Sequence, residues 1–249
     1  TMRYTHDGKR RKALFVGVDG VRDDVLRELA PPSVQDLASC GRWWSTTMPD
    51  VDVAPTVTAV GWSTLLTGVG PATHRVSGNE DELHLLHRYP SVLTRAYCAD
   101  REIRTYAAAS ALIFGTHFGP GPILGPGVNV LDFYDRREHP RGFYDTDPLV
   151  LEDAARELGS GEHDLSFVYF GQGDKIAHEH GAGEEYRETI GVLDGCLGQL
   201  LDAIRQRSTF DREEWLIMLG TDHGHLDEGG HGGGSWQERQ SFLIAGLLG

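Results

Sequence analysis

A chain of 249 residues, 39% hydrophobic and with a formal net charge of −14, can bury a sizeable core but lacks the basic surface that nucleic acid or anionic lipid requires. A small phosphorylated ligand is still compatible with that charge, because bound cations reverse the local field. Cys40, Cys98 and Cys196 are scattered without CxxC spacing and are expected as reduced core residues.

Residues 1–11 are polar and lead into no apolar stretch of signal-peptide length, so they are expected as a disordered or tag-proximal terminus. Residues 12–249 are expected as one catalytic domain. No segment approaches a membrane span, and the expected location is cytoplasmic. Residues 12–18 (KALFVGV) form a continuous apolar run ending in Asp19-Gly20, the pattern of a buried parallel strand. Residues 33–40 read as a short helix closed by Gly41, and residues 63–66 as the middle of another closed by Gly68. Residues 104–108 read as a strand, the Gly- and Pro-rich stretch 114–129 as a loop, and 130–133 as a short strand.

Asp147-Pro148 has the form of an N-cap followed by Pro at the first helical position, with Leu151, Ala154, Ala155 and Leu158 at helical spacing after it. Residues 165–170 (LSFVYF) are a second buried strand. Tyr186, Ile190, Leu193, Leu197, Leu200 and Ile204 mark the clearest amphipathic helix of the chain. Residues 215–219 read as a third strong strand and 241–245 as the last. Strands alternating with helices predict a three-layer α/β fold, a mainly parallel central sheet with helices on both faces. In such a sheet chemistry belongs beyond the carboxyl ends of the strands.

Three strong strands deliver candidate metal ligands to that edge. The first ends in Asp19; the second is followed by Asp174 and His178; the third ends in Asp222-His223, with His231 in the glycine-rich loop beyond. An isolated Asp-His pair is equally what an N-cap beside a hydrogen-bonded histidine looks like. Three carboxylates and three imidazoles on one edge suffice for two metal ions of mixed N/O ligation, able to stabilise the attacking and leaving oxygens of a displacement. The hydroxyl-rich segment 55–62 (PTVTAVGW) precedes a helix; by itself it reads as Thr56 or Thr58 capping that helix, and beside the metal ligands as Thr58, or else Thr56, acting as a metal-activated nucleophile next to backbone N–H donors.

Asp19-Gly20-Val21-Arg22, Thr58, the run 63–74 (STLLTGVGPATH), Asn79, the run 174–181 (DKIAHEHG), Asp222-His223-Gly224 and Gly230-His231-Gly232 occur in this order. Their combination resembles the alkaline phosphatase superfamily, and within it the nucleotide pyrophosphatase/phosphodiesterase branch. The resemblance covers nearly the whole chain. It implies an alkaline phosphatase-like domain with reduced insertions and two divalent ions, usually zinc, with manganese or iron as alternatives. It implies one ion on Asp174, His178 and His231, and the other on Asp19, Asp222 and His223 with Thr58 as nucleophile. Asn79 takes the place of the amide that contacts the phosphoryl oxygen. Hydrolysis of phosphate esters, diester or monoester, through a phospho-threonine is the activity implied.

Several positions depart from that branch. Ala59 stands where an aromatic residue stacks on the nucleotide base, leaving Trp62 or Trp43 as candidate stacking faces. The usual insertion between His223 and His231 is absent, which moves substrate selection to residues 79–87 and 114–135. No Cys-x-Pro-x-Arg motif occurs, which argues against the sulfatase branch. The alternatives are a phosphonate (C–P) hydrolase of the same superfamily and a catalytically inactive metal- or ligand-binding homologue. The expected partner is a small phosphorylated substrate, not nucleic acid or membrane, with a homo-oligomer left open. His74 reads as structural; His180 and His225, beside expected ligands, read equally as supports of those ligands and as surface histidines; Arg22 and Lys175 read equally as phosphate contacts and as cations paired with acids.

Overall fold

The computed structural model describes residues 3–80, 83–116 and 118–249. Thr1, Met2, Asp81, Glu82 and His117 lie outside the described residues, so the expectations for 1–11, 79–87 and 114–135 can be compared with the structure only at their other positions.

Seven strands form one sheet: β1 (Arg10–Val18), β2 (Gly41–Thr47), β3 (Thr105–Ala109), β4 (Val130–Phe133), β5 (Leu165–Phe170), β6 (Glu213–Gly220) and β7 (Gln240–Leu248). The spatial order is β2-β7-β6-β1-β5-β3-β4. Only β7 runs against the others; β1, β3, β4, β5 and β6 pair in parallel. The helices are α1 (Asp23–Leu29), α2 (Pro32–Ser39), α3 (Thr58–Thr67), α4 (Pro71–His74), α5 (Val92–Ala99), α6 (Leu112–Gly115), α7 (Phe143–Ser160), α8 (Gln172–His180) and α9 (Glu184–Arg205). This is the expected mixed, mostly parallel three-layer architecture.

Central strands feed two cores, because alternate side chains leave opposite faces of the sheet. On β5, Val168 and Phe170 join a core with Leu193, Leu197 and Ile204 of α9. Phe167 and Tyr169 join the other, around Trp62, Leu66 and Phe114. Strands buried on both faces read as unbroken apolar runs.

Several details differ from the sequence reading. Residues 3–11, expected as disordered or tag-proximal, form a turn with Tyr4 bridged to Arg10 and then enter β1. The α2 helix ends at Cys40 rather than through a left-handed Gly41. Gly41 instead opens β2, where a Cβ would lie 1.9 Å from the Ala245 carbonyl oxygen. The α7 helix starts at Phe143, after Gly142 at φ +59°, so Asp147-Pro148 lies inside it and is not its start. Within 114–129, Phe114 and Gly115 are helical. Of the cysteines only Cys196 is buried; Cys40 and Cys98 are exposed, and all three are free. No described helix is long and apolar enough to cross a membrane.

Candidate active site

The registers of β1 with its two neighbours bring three strand ends level. Val18 pairs with Phe170 of β5 and Gly17 with Gly220 of β6, so the residues that follow each strand meet at one edge. Asp19 is anchored there by its N–H, which donates to the Phe170 carbonyl at 3.0 Å. Asp174 comes from the first turn of α8, and Asp222 and His223 from the segment after β6.

Asp19, Asp222 and His223 form the deepest group, all fully or almost fully buried. The Asp19 Oδ2 atom accepts hydrogen bonds from the Tyr169 hydroxyl (2.6 Å) and the Trp62 indole N–H (3.1 Å). Among the described residues its Oδ1 has no hydrogen-bond partner, and neither has Asp222 Oδ2. These orphaned oxygens are the two that face His223 Nε2, at 3.6 and 3.4 Å. The His223 Nδ1 atom lies 3.1 Å from the Gly224 carbonyl, which makes it the N–H donor and leaves Nε2 as a lone pair. Burial and the neighbouring His231 push the His223 pKa well down, so the ring is neutral. Three electron pairs therefore converge with no positive charge among them. Buried carboxylates in that state are costly unless a cation or proton joins them. Burial and repulsion from Asp174 accordingly raise the Asp19 pKa to about 7, and burial with repulsion from Asp19 and Asp174 raises that of Asp222 well above the carboxylate range.

A second group surrounds Asp174. Its Oδ1 lies 2.9 Å from His225 Nε2, 3.2 Å from His231 Nε2 and 3.4 Å from His178 Nε2. Burial opposes ionisation of Asp174, but the three imidazoles outweigh it and hold its pKa well below the ordinary value. Ligand atoms of Asp174, His223, His225 and His231 all lie within 4.8 Å of one another. His178 is adjacent to Asp174 but falls outside that group, and its side chain is 46% exposed at the rim. Ligands bonded to a tetrahedral zinc at about 2.0–2.2 Å stand about 3.3–3.6 Å apart. The spacings around His223 lie in that range, those around Asp174 run from hydrogen-bond contact at 2.9 Å up to 3.4 Å, and the N/O chemistry of the donors suits such an ion.

Thr58 is the first residue of α3, and its Oγ1 lies 3.4 Å from His223 Nε2. Asn79 accepts the Ala59 N–H at 2.9 Å through Oδ1. Both line a cleft of about 410 Å³ together with Asp174, His178, His231, Lys175 and Arg136. Every predicted site residue therefore reaches this edge, with His178 the outermost.

Other expectations resolve differently. Trp62 is fully buried against Asp19, and Trp43 is bonded to Asp23 away from the cleft, so neither offers a stacking face. Thr56 is no cap: its hydroxyl accepts the Gly232 N–H (2.8 Å) and donates to the Gly233 carbonyl (3.0 Å), tying down the loop that carries His231. His74 is structural, bonded to Thr64 and the Val76 N–H. Arg22 is paired with Asp24 and Asp227. Sequence reasoning missed Tyr169 and Trp62 as partners of Asp19, Arg136 in the cleft, and the burial of His225. The adjacency of His225 to Asp222-His223 was the available signal.

The fold is shared with solved structures of low sequence identity. Phosphonoacetate hydrolase from Sinorhizobium meliloti 1021, in complex with phosphonoformate, aligns at TM-score 0.62 and 15% identity, covering 87% of this chain and 57% of that one. A 2-O GAG sulfatase aligns at 0.64 and 14%, covering 94% and 64%. An inactive variant of murine ectonucleotide pyrophosphatase/phosphodiesterase 5, in complex with AMP, aligns at 0.57 and 17%, covering 86% and 57%. The chain thus spans less than two thirds of the length of each. No curated protein matches the sequence. The family model for type I phosphodiesterase/nucleotide pyrophosphatase matches residues 13–232, the stretch that carries every site residue from Asp19 to His231, and the chain belongs to that family.

Proposed function

We propose that the protein hydrolyses phosphate esters, diester or monoester, with two divalent metal ions and a phospho-threonine formed at Thr58. The observation that carries this reading is the pair of buried, unpartnered oxygens, Asp19 Oδ1 and Asp222 Oδ2, converging on a neutral His223 whose Nε2 is 3.4 Å from Thr58 Oγ1. Two ions, zinc being the best match to the donors, would supply positive charge to the attacking and leaving oxygens and lower the pKa of the Thr58 hydroxyl. Asp19, Asp222 and His223 would hold one beside Thr58; Asp174, His178 and His231 would hold the other.

The protein's own groups then have defined tasks. The Thr58 oxygen attacks phosphorus, the bond to the leaving oxygen breaks, and the leaving alcohol takes up a proton. Water then attacks the same phosphorus and restores the Thr58 hydroxyl. Asn79, fixed through its Oδ1 to Ala59, keeps its N–H donors for a phosphoryl oxygen. Thr58 opens α3, so the first-turn N–H groups other than that of Ala59, which Asn79 accepts, would be further donors beside it. Leu112, Ile113 and Phe143 offer apolar surface to the leaving group, while no aromatic residue stands at position 59 for a base to stack on.

Elemental analysis is expected to find two divalent ions per chain, and Thr58→Ala to abolish turnover while keeping both. Turnover by Thr58→Ala, or a protein that binds no metal at all, would overturn the reading. A panel of bis-p-nitrophenyl phosphate, p-nitrophenyl phosphate and phosphonoacetate separates diesterase, monoesterase and phosphonatase. Phosphonate cleavage is the second reading. Arg136 in the cleft, its guanidinium over the Phe143 ring, would offer a cation to a further acidic group of a phosphonate, whereas Lys175 would have to leave Glu179, 2.7 Å away, to do so.

A further inference from the structure

His225 takes no part in the ligand sets above, yet it is the most enclosed histidine around Asp174. Its side chain is fully buried, and its Nε2 is nearer to Asp174 Oδ1 (2.9 Å) than either His231 or His178 (3.2 and 3.4 Å). Its ring packs edge-on to those of His178 and His231, at centroid distances of 4.9 Å for both. The backbone makes room for it. Gly20, at φ +67°, lies so close that a Cβ there would stand 2.8 Å from His225 Nε2 and 2.9 Å from the Asp174 Cα. A structural histidine in a buried place normally has both ring nitrogens bonded. Here Nδ1 is buried without a partner, whereas Nδ1 of His231 and His223 is set against a carbonyl. Beside the Asp174 carboxylate Nε2 carries the proton, but among the described residues no group holds Nδ1 in one state, so the proton is free to pass to Nδ1. Its Nε2 can present N–H to the Asp174 carboxylate or a lone pair to a cation.

We infer that His225 is a direct protein ligand of the ion held at Asp174, so that this ion is gripped from inside by Asp174, His225 and His231 while the half-exposed His178 closes the site from the rim. The assignment rests on the two-metal reading. A site with three enclosed ligands keeps its ion when the rim ligand is removed. It also has one coordination position governed by an exchangeable side chain, the arrangement that a catalytic site needs for access.

The test uses the full-length protein loaded with cobalt(II) and with zinc. Variants His225→Gln and His225→Ala are compared with His178→Ala, and circular dichroism confirms that each folds. Chelator competition is expected to show one of the two ions bound at least 100-fold more weakly in both His225 variants. His178→Ala is expected to weaken the same ion less. The cobalt visible absorption is expected to change in intensity and position in the His225 variants, because the number of imidazole ligands has changed. Unaltered affinity and spectrum would overturn the assignment. So would weakened affinity with an unaltered spectrum, since His225 would then act only by orienting Asp174. Failure of the unmutated protein to bind metal would overturn the two-metal reading as well, which separates the two failures.

Discussion

At His231 and His223 a backbone carbonyl decides which ring nitrogen faces the carboxylates. His231 Nδ1 lies 2.6 Å from the Thr56 carbonyl, and His223 Nδ1 3.1 Å from that of Gly224, so each ring turns Nε2 toward the acids. Thr56 does this twice over, since its hydroxyl also clips Gly232 and Gly233, which flank His231 on its far side. Thr56→Val keeps the shape but removes the hydroxyl and leaves the half-buried Gly232 N–H without its acceptor. The variant is expected to fold and to bind one metal ion about 10–100-fold more weakly, the usual cost of losing a supporting partner around a metal ligand. Chelator competition measures this, and unchanged affinity would remove Thr56 from the site. In the sequence Thr56 is indistinguishable in kind from Thr58: both are hydroxyls before the same helix. Only the position of the 231–233 loop tells them apart, and that loop is 175 residues away along the chain. Among the expected ligands, Asp19, Asp222 and His223 stood out because acids and imidazoles just after apolar strands have no packing role, while Asp174 and His231 lie further from their strands and stood out only through the motifs around them. His225 did not stand out, because being one residue beyond Gly224 says nothing of which way its ring turns.

Between elements, the junction of β5 and α8 is held by a residue from a third. Asp147 of α7 is buried, and its Oδ2 accepts the N–H of Gly171 and of Gln172, both at 2.9 Å. The two amides stand at the turn that launches Asp174 into the site. Burial pushes the Asp147 pKa up to about 8, against those two hydrogen bonds, so near neutral pH the side chain is largely a neutral acid. An amide of the same shape can take its place. Asp147→Asn is expected to change stability by about 1 kcal/mol or less. Asp147→Ala is expected to cost about 2–6 kcal/mol, because two buried N–H groups lose their acceptor at about 1–3 kcal/mol each. Urea unfolding of the two variants checks the contrast, and equal losses would mean that Asp147 acts through its volume. The same residue shows why α7 was misplaced in the sequence. Asp followed by Pro is the local signature of a helix start, but the chain enters this helix earlier, from Gly142 at φ +59°. Tertiary demand for a carboxylate at Gly171 outweighs the local signal. The strands β1, β5 and β6 were legible because burial on both faces leaves an unbroken apolar run. β2 was invisible for the converse reason: it is an edge strand, mostly exposed, and carries no alternation.

Across the whole molecule, three of the 37 acidic residues stand where charge is least tolerable: Asp19, Asp174 and Asp222 meet at one sheet edge, the first and last of them buried. This makes the stability of the metal-free protein depend on pH in a stated direction. Asp19 is raised to about 7 by burial and Asp174, and Asp147 to about 8 by burial. Burial opposes charge on His231, but the hydrogen bond to Asp174 outweighs it and its pKa rises above the usual 6.5. Each of these groups binds its proton more tightly folded than unfolded, so each contributes stability that is lost as pH climbs through its folded value. His223 and His225 are pushed down by burial and have the opposite sign, but only below the usual imidazole value near 6.5. Asp174, held well below 3.8, acts only in acid. Above about pH 6.5 the raised groups therefore act together. The chelated protein is expected to melt at progressively lower temperature between about pH 6.5 and 8.5. Saturating zinc is expected to abolish or reverse that slope, because a cation bound only by the folded state takes over the role of the protons. Differential scanning fluorimetry of the chelated and zinc-loaded protein across this range measures both slopes. A chelated protein whose melting temperature is flat or rises would show that the three carboxylates do not share one buried site.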